Sequence, residues 1–367
     1  SSNSRLEALP RRMVSRKAQF HVVGDALVDV LAVDLNDLPC WEGEALASSI
    51  SMQAGGSAFN TAIHLASLLG APSGKAQVAM HGCVGADGMG SLLRSRLQAA
   101  SVQDCLQEAS GGIATGSCIV LSGAGGRAFV TSAGAAASLA ATHLEALKSC
   151  LEEAAAEEVF HVHFGGFYSY SSELRRSLPA LIRDLRQKAR ARNVIFSTSV
   201  DVNGSLPQHV EGLQDVLAEL DLYKGNAEEA MALLRSVGHG DGKTVLPNDA
   251  REAPTLLAET LAAVRPGGGL SVVITCGAEG AVYYTDDGKG TVPAAPLQVV
   301  VDGTGAGDAC AAGILASWKG PEAVSLPDAL LRGCAAGSAN CTRKGGSMEP
   351  VTSHEVDDLL ASVAGSK

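Results

Sequence analysis

The segment Asp302-Gly303-Thr304-Gly305-Ala306-Gly307-Asp308 sets three glycines and an alanine between two carboxylates, directly after the apolar run Val299-Val-Val301. Small residues at a strand-to-helix turn let backbone N–H groups converge where the helix dipole is positive, which makes an anion site. A carboxylate in the first helical turn is repelled by a phosphate bound there, so Asp308 has two readings. As a general base it accepts a proton from an alcohol that attacks a phosphoryl group held by the N–H groups of Ala306 and Gly307. As an ordinary helix-start acid it complements the dipole, and Gly303, Gly305 and Gly307 close a tight turn.

Ala54-Gly55-Gly56-Ser57-Ala58-Phe59-Asn60 is the second such segment. Its glycine pair lets a ligand approach the backbone, and Asn60, one turn into a helix, both donates and accepts, which suits a polyhydroxylated ligand. A plain helix start with an exposed Asn fits the same residues. In Gly24-Asp25-Ala-Leu-Val-Asp29, Asp29 can hold a pair of hydroxyls or stand as a solvated turn acid. Asn226 and Glu229 share one face of a helical turn, where hard oxygens can order Mg²⁺ and its waters or close a capping box; the two roles are compatible. His161 and His163 lie on one side of a strand without a third ligand at metal spacing and read as core or cleft histidines. Gly238-His-Gly-Asp-Gly242-Lys243-Thr244 is one residue short of a P-loop and is set aside.

Apolar periodicity supplies the elements that must position these residues. Strand signals fall at His21–Val23, Gln77–His81, Val159–Phe164, Val194–Phe196, Leu222–Tyr223 and Val272–Thr275. Helical stripes fall at Ala58–Leu69, near Glu173–Ala191 and Ala227–Ser236, and from about Gly307 to Trp318. That alternation predicts an α/β fold, a mainly parallel sheet sandwiched by helices. Residues 30–54 and 112–133 break it with strand pairs that lack an intervening helix, which predicts a small β-lid. The domain reading is a leader at 1–18, taken as disordered, and a single domain at 19–367. Residues 237–254 and 265–270 are expected as surface loops.

Composition bounds the function. The chain has 367 residues, 28 Lys+Arg against 39 Asp+Glu, and a net charge of −11, which argues against a nucleic-acid or anionic-membrane partner. No apolar run reaches the roughly 18 residues of a membrane span. Nine scattered cysteines with no C-x-x-C pair read as thiols in a reducing, cytoplasmic setting. Residues 1–18 hold Arg5, Arg11, Arg12, Arg16 and Lys17 with Glu7 as the single acid, a pattern that also suits organellar import.

In this order the segments resemble the ribokinase-like (PfkB) family of carbohydrate kinases from about His21 to Val363. Gly55-Gly56 with Asn60 looks like the family's first signature and Asp302–Asp308 like its second. Asn226-Ala-Glu-Glu229 resembles its N-x-x-E motif, and Thr275-Cys-Gly277-Ala-Glu-Gly280 the loop bordering the nucleotide. Thr342-Arg-Lys-Gly345-Gly-Ser347 resembles the late loop that joins the Asp302 turn around a monovalent cation.

The resemblance implies ATP-dependent phosphorylation of a sugar-like alcohol, with Asp308 as base and Gly305, Ala306 and Gly307 as anion hole. It implies sugar contacts at Asp29, Gly55, Gly56 and Asn60, and nucleotide contacts at Asn226, Glu229, Thr275, Gly277 and Gly280. Mg²⁺ would sit near Asn226 and Glu229, reached through water, and K⁺ near Asp302, Thr304 and Ser347. A homodimer formed through the β-lid is also implied. Leu27, Ser57 and the strand Ser197–Asn203 depart from the family pattern and bear on which substrate enters. A nucleoside kinase shares these motifs and is the alternative; a non-catalytic ligand sensor is the third reading.

Overall fold

Nine strands form one sheet because their apolar runs are short, β-branched or aromatic, and separated by helices that cover both faces. The computed structural model describes residues 17–70, 76–123, 126–202, 213–237, 249, 253–265, 267–318 and 324–365. The leader read at 1–18 falls almost entirely outside the described residues, as do the Gly238–Thr244 segment and most of the expected 237–254 loop.

In chain order the strands are β1 (Ala18–Gly24), β2 (Leu27–Leu35), β3 (Ser49–Gly55), β4 (Ala76–Val84), β5 (Gln103–Glu108), β6 (Ser117–Gly123), β7 (Gly126–Ser132), β8 (Val159–Gly165), β9 (Ile195–Asp201), β10 (Leu222–Asn226), β11 (Ser271–Thr275), β12 (Ala281–Thr285) and β13 (Gly288–Val292). The helices are α1 (Ser57–Leu68), α2 (Gly88–Ala99), α3 (Ala146–Glu153), α4 (Ser172–Ala191), α5 (Leu213–Leu217), α6 (Ala227–Val237), α7 (Pro254–Ala262), α8 (Ala306–Ser317), α9 (Leu326–Asn340) and α10 (Ser353–Gly365). The large sheet runs β13-β12-β11-β10-β9-β8-β1-β4-β5 and is parallel apart from the β11–β12–β13 meander at one edge.

Alternation along the buried strand β8 divides the interior. Phe160, Val162 and Phe164 enter a core shared with α3 to α7, while Phe20 and Val22 of β1 meet α1, α2, α8 and α9 on the other face. Helices α8 and α9 approach closely because glycines face alanines. A Cβ built on Gly313 would stand 2.9 Å from Ala336 Cβ.

The strand-rich interruptions form a separate sheet of order β3-β2-β6-β7. It begins at Leu27, earlier than the periodicity suggested, because Val28 still packs in the main core at 0% exposure. Its register sorts two faces. Gln53, Asp29, Cys118 and Thr131 form one row across the four strands, and Met52, Val30, Ile119 and Val130 form a row on the opposite face.

Candidate active site

Strands β1, β8, β9, β10 and β11 end side by side, and the residues singled out from the sequence gather at their carboxyl edge, where open α/β sheets bind ligands. Gly24 pairs with Gly165 and Asn226 with Thr275. Beyond this edge stand the N-termini of α1 and α8.

Helix α1 starts at Gly56, whose φ of 99° only glycine adopts readily. Asp25 caps it, accepting from Ser57 N–H at 3.2 Å and Ala58 N–H at 3.0 Å. Burial raises the Asp25 carboxyl to about 6, and those two N–H groups hold it down from further rise. Asp25 is thereby committed to the helix end.

Asp308 lies in the first turn of α8, behind Gly305, which is left-handed at φ 74°. Its two oxygens are held separately by α1. Ser57 Oγ donates to Oδ1 at 2.9 Å and Asn60 Nδ2 to Oδ2 at 3.0 Å. Asn60 Oδ1 in turn accepts from Ser347 Oγ at 2.7 Å, so every polar atom of that amide is directed. Burial raises the Asp308 carboxyl; Lys224, Asn60 and Ser57 oppose the rise. An oriented, largely desolvated carboxylate is the form a general base takes.

Lys224 was not among the sequence candidates. It stands at the middle of β10, paired with Asp201 of β9, and its Nζ donates to both Asp201 oxygens at 3.1 and 2.9 Å. Burial works against its charge, but Asp201 keeps it above the ordinary lysine range, hence protonated. A Cβ built on Gly307 would meet Lys224 Nζ at 3.1 Å, so a fixed cation underlies the turn of small residues. Its signal in sequence was slight: a lysine two positions before Asn226.

Asp29 faces Gly55 across the β2–β3 pair, where a Cβ on Gly55 would fall 2.2 Å from Asp29 Oδ2. Burial, then the charges of Asp25 and Asp308, raises Asp29 to about 6. Gln53, directly opposite Asp29, is buried with its Nε2 unpartnered among the described residues.

Asn226 and Glu229 form the reciprocal capping box: Glu229 N–H donates to Asn226 Oδ1, and Asn226 N–H donates to Glu229 Oε2, each at 2.8 Å. Thr275 closes β11, and the turn after it uses Gly277 at φ 58° and Gly280 at φ 98°. A Cβ on Gly280 would stand 2.1 Å from Val292 O. Asp302 accepts from Thr304 N–H at 2.8 Å and Gly345 N–H at 3.0 Å, which ties the Asp302 turn to the late loop. Asn340 Nδ2 donates to Thr304 O at 2.7 Å, and its Oδ1 is buried without a hydrogen-bond partner among the described residues. The hydroxyl of Ser347 is turned to Asn60 and away from this turn.

Most of the aromatic side chains that could stack a nucleobase lie away from this edge. Phe59, Phe164 and Phe167 are core residues at 0% exposure, and Trp41 projects outward at 99%. Tyr168 remains at the edge, its hydroxyl buried without a hydrogen-bond partner among the described residues. His161 bridges Ser197 and Ser199, and His163 also contacts Ser199, so both belong to the interior. Among the described residues no group of three or more His, Cys, Asp or Glu is arranged to hold a metal ion.

A family model described as pfkB family carbohydrate kinase matches residues 17–352. Adenosine kinase of Saccharomyces cerevisiae is 29% identical over 273 residues, 72% of this chain and 71% of that protein. Among solved structures, ribokinase from Giardia lamblia superposes with a TM-score of 0.75 at 20% identity, covering 95% of this chain and 99% of that one. Arabidopsis thaliana ribokinase, solved with ribose and ATP, gives 0.70 at 18% identity over 94% and 99%.

Proposed function

The chain belongs to the pfkB family of carbohydrate kinases and is a phosphotransferase acting on a sugar or nucleoside; we propose that Asp308 takes the proton of the attacking hydroxyl. The observation that carries this is the pair of α1 donors on Asp308. They leave the carboxylate aimed from a helix N-terminus with Lys224 close behind it.

The mechanism follows from charge and position. ATP's γ-phosphate meets the N–H groups of Gly305, Ala306 and Gly307, and Lys224 offsets its negative charge. Asp29, Gly55, Gly56 and Asn60 hold the acceptor in line, and Asp308 accepts its proton as the O–P bond forms and ADP leaves. Asn226, Glu229, Thr275, Gly277 and Gly280 border the nucleotide.

Mg²⁺ bound with ATP would neutralise phosphate charge. The oxygen-only set of Asn226 and Glu229, already occupied by backbone N–H groups, suits contact through the ion's retained waters. K⁺ fits the Asp302 turn, where the carboxylate, the Thr304 carbonyl and the orphaned Asn340 Oδ1 supply hard oxygens. Ser347 supports the base instead.

The small sheet acts as lid and dimer surface in this reading. Its polar row, with Asp29 and Gln53, faces the acceptor. Its apolar row, with Met52 at 59% and Val130 at 60% exposure, suits a second copy of the chain. The free state of all nine cysteines supports a cytoplasmic location. No helix among the described residues is long and apolar enough to cross a membrane.

A sugar is favoured over a nucleoside because Phe59, Phe164 and Phe167 are spent in the core and Trp41 is exposed, which leaves Tyr168 of that group at the edge to stack a base. Coupled ADP release with Mg-ATP and K⁺ across ribose, fructose, 2-keto-3-deoxygluconate, inositol and adenosine tests this. Asp308→Asn is expected to lower kcat by about 10²–10⁴ with little change in KM. A variant that keeps most of its kcat removes Asp308 from the role.

A further inference from the structure

The loop Gly345–Met348 passes between α1 and α8 where both present their site residues. A Cβ built on Gly346 would stand 2.6 Å from Asn60 Nδ2, and one built on Gly305 would stand 2.7 Å from Gly346 Cα. The loop therefore touches both the amide that holds the base and the turn that opens the anion hole. Its Ser347 also completes the bonding of that amide. A carboxylate only accepts, so Asn60 must present Nδ2 to Asp308, and Ser347 Oγ then donates to Oδ1.

Two side chains, one on α2 and one a helical turn beyond Asn60 on α1, hold this loop. Arg96 of α2 donates from Nη2 to Ser347 O at 2.6 Å and Met348 O at 2.7 Å. His64 of α1, at 0% exposure, donates from Nε2 to Gly346 O at 2.7 Å and accepts Val351 N–H at Nδ1 at 3.1 Å. The partners dictate one neutral tautomer, since a carbonyl only accepts and an amide N–H only donates. Four bonds from two helices thus anchor a short stretch of backbone whose glycines leave no slack against Asn60 and Gly305.

We propose that Arg96 and His64 are positioning residues for phosphotransfer, clamping residues 346–351 so that Ser347 and Asn60 keep Asp308 in register with the Gly305 turn. The proposal rests on the phosphotransfer reading above. In-line attack tolerates little displacement, and a shift of about 1 Å can lower the rate about 100-fold. A loop that only supported the fold would change stability and leave the per-molecule rate alone.

The test uses the full chain with Arg96→Ala and His64→Leu, and two rescues: added guanidinium for the first, and His64→Gln, whose amide can both donate and accept. Kinetics are read beside hydrogen exchange of the amides at 302–308, which neither side chain contacts. The expected result is a kcat lowered about 10- to 100-fold with acceptor KM within about threefold. Exchange over 302–308 should quicken. Guanidinium should restore activity to Arg96→Ala and not to His64→Leu, and His64→Gln should exceed His64→Leu.

Unchanged exchange at 302–308 in a folded variant, or a kcat within about twofold of wild type, overturns the clamp. If Arg96→Ala does not fold, Arg96→Lys, which keeps the charge with a single donor point, carries the same comparison. A wild type that turns over no acceptor would count against the role given to Asp308, and exchange at 302–308 would then separately decide whether Arg96 and His64 hold the loop.

Discussion

Asp29 and Asp308 share an environment and differ in what holds them. Asp308 has two side-chain donors and a nearby lysine against its burial, whereas Asp29 has burial and like charges pushing its carboxyl up to about 6. Protonated Asp29 loses an acceptor for substrate hydroxyls. The acceptor KM is therefore expected to rise as pH falls through about 6, while Asp29→Asn shows a KM raised roughly tenfold and flat across that range. A wild-type KM independent of pH between 5 and 7, roughly the window around that value, would take Asp29 out of the acceptor site. Asp29 was readable from sequence as the second acid after the first strand. Its raised proton affinity was not, because the burial of Asp29 and the approach of Asp308 come from elements distant in the chain.

At the scale of elements, the start of α8 decides whether an anion hole exists. Gly305 holds a left-handed conformation at φ 74°, and a Cβ there would meet Gly346 Cα and O, each at 2.7 Å. Alanine would be strained by its backbone and blocked by backbone across from it, with no flexible side chain to yield. Gly305→Ala is expected to lower stability by about 1–3 kcal/mol and kcat by at least tenfold, with far-ultraviolet circular dichroism retained. Full activity in that variant would show that the turn is not shaped around the phosphate. The glycine turn and the helix after it were plain in the sequence; the helix start moved to Ala306, and Val299–Val301, read as a strand leading into the turn, are exposed and form no strand. The β12–β13 hairpin, β5, α2 and α9 were not read from the sequence: β5 is a mostly polar strand at the sheet edge, β12 and β13 are five residues each, and glycines and alanines blur the periodicity of α2 and α9.

Across the whole molecule, a polar layer lies within the sheet. His161 spans Ser197 and Ser199 and packs edge-on to Trp318, with centroids 5.9 Å apart. Burial lowers its pKa to about 3. The unfolded chain gains a proton near the ordinary value of about 6.5, while the folded chain resists until about 3. Stability from this group is complete above about 6.5 and is lost as pH falls, at about 1.4 kcal/mol per pH unit. His21, His81 and His163 are lowered by burial in the same direction. Denaturant unfolding of His161→Asn beside wild type should show a shallower loss between pH 6 and 4, about one proton's slope less. Parallel slopes would mean that His161 does not stay neutral in the fold.

The sequence alone determined the order of strands and helices in most of the parallel sheet, the two glycine-rich helix starts, and Asp308 as the acid in the first turn of the second of them. These are local properties: glycine at a turn, an apolar stripe, and a carboxylate in a first helical turn act within a few residues. Tertiary structure decided the rest. It brought Lys224 beneath Gly307, turned Ser347 toward Asn60, gave Asp25 to the cap of α1, and set Arg96 and His64 against the late loop. Those partners lie on different elements, so spacing along the chain carries no trace of them. They meet because the sheet stacks its carboxyl ends at one edge and two close-packed helices deliver their N-termini there.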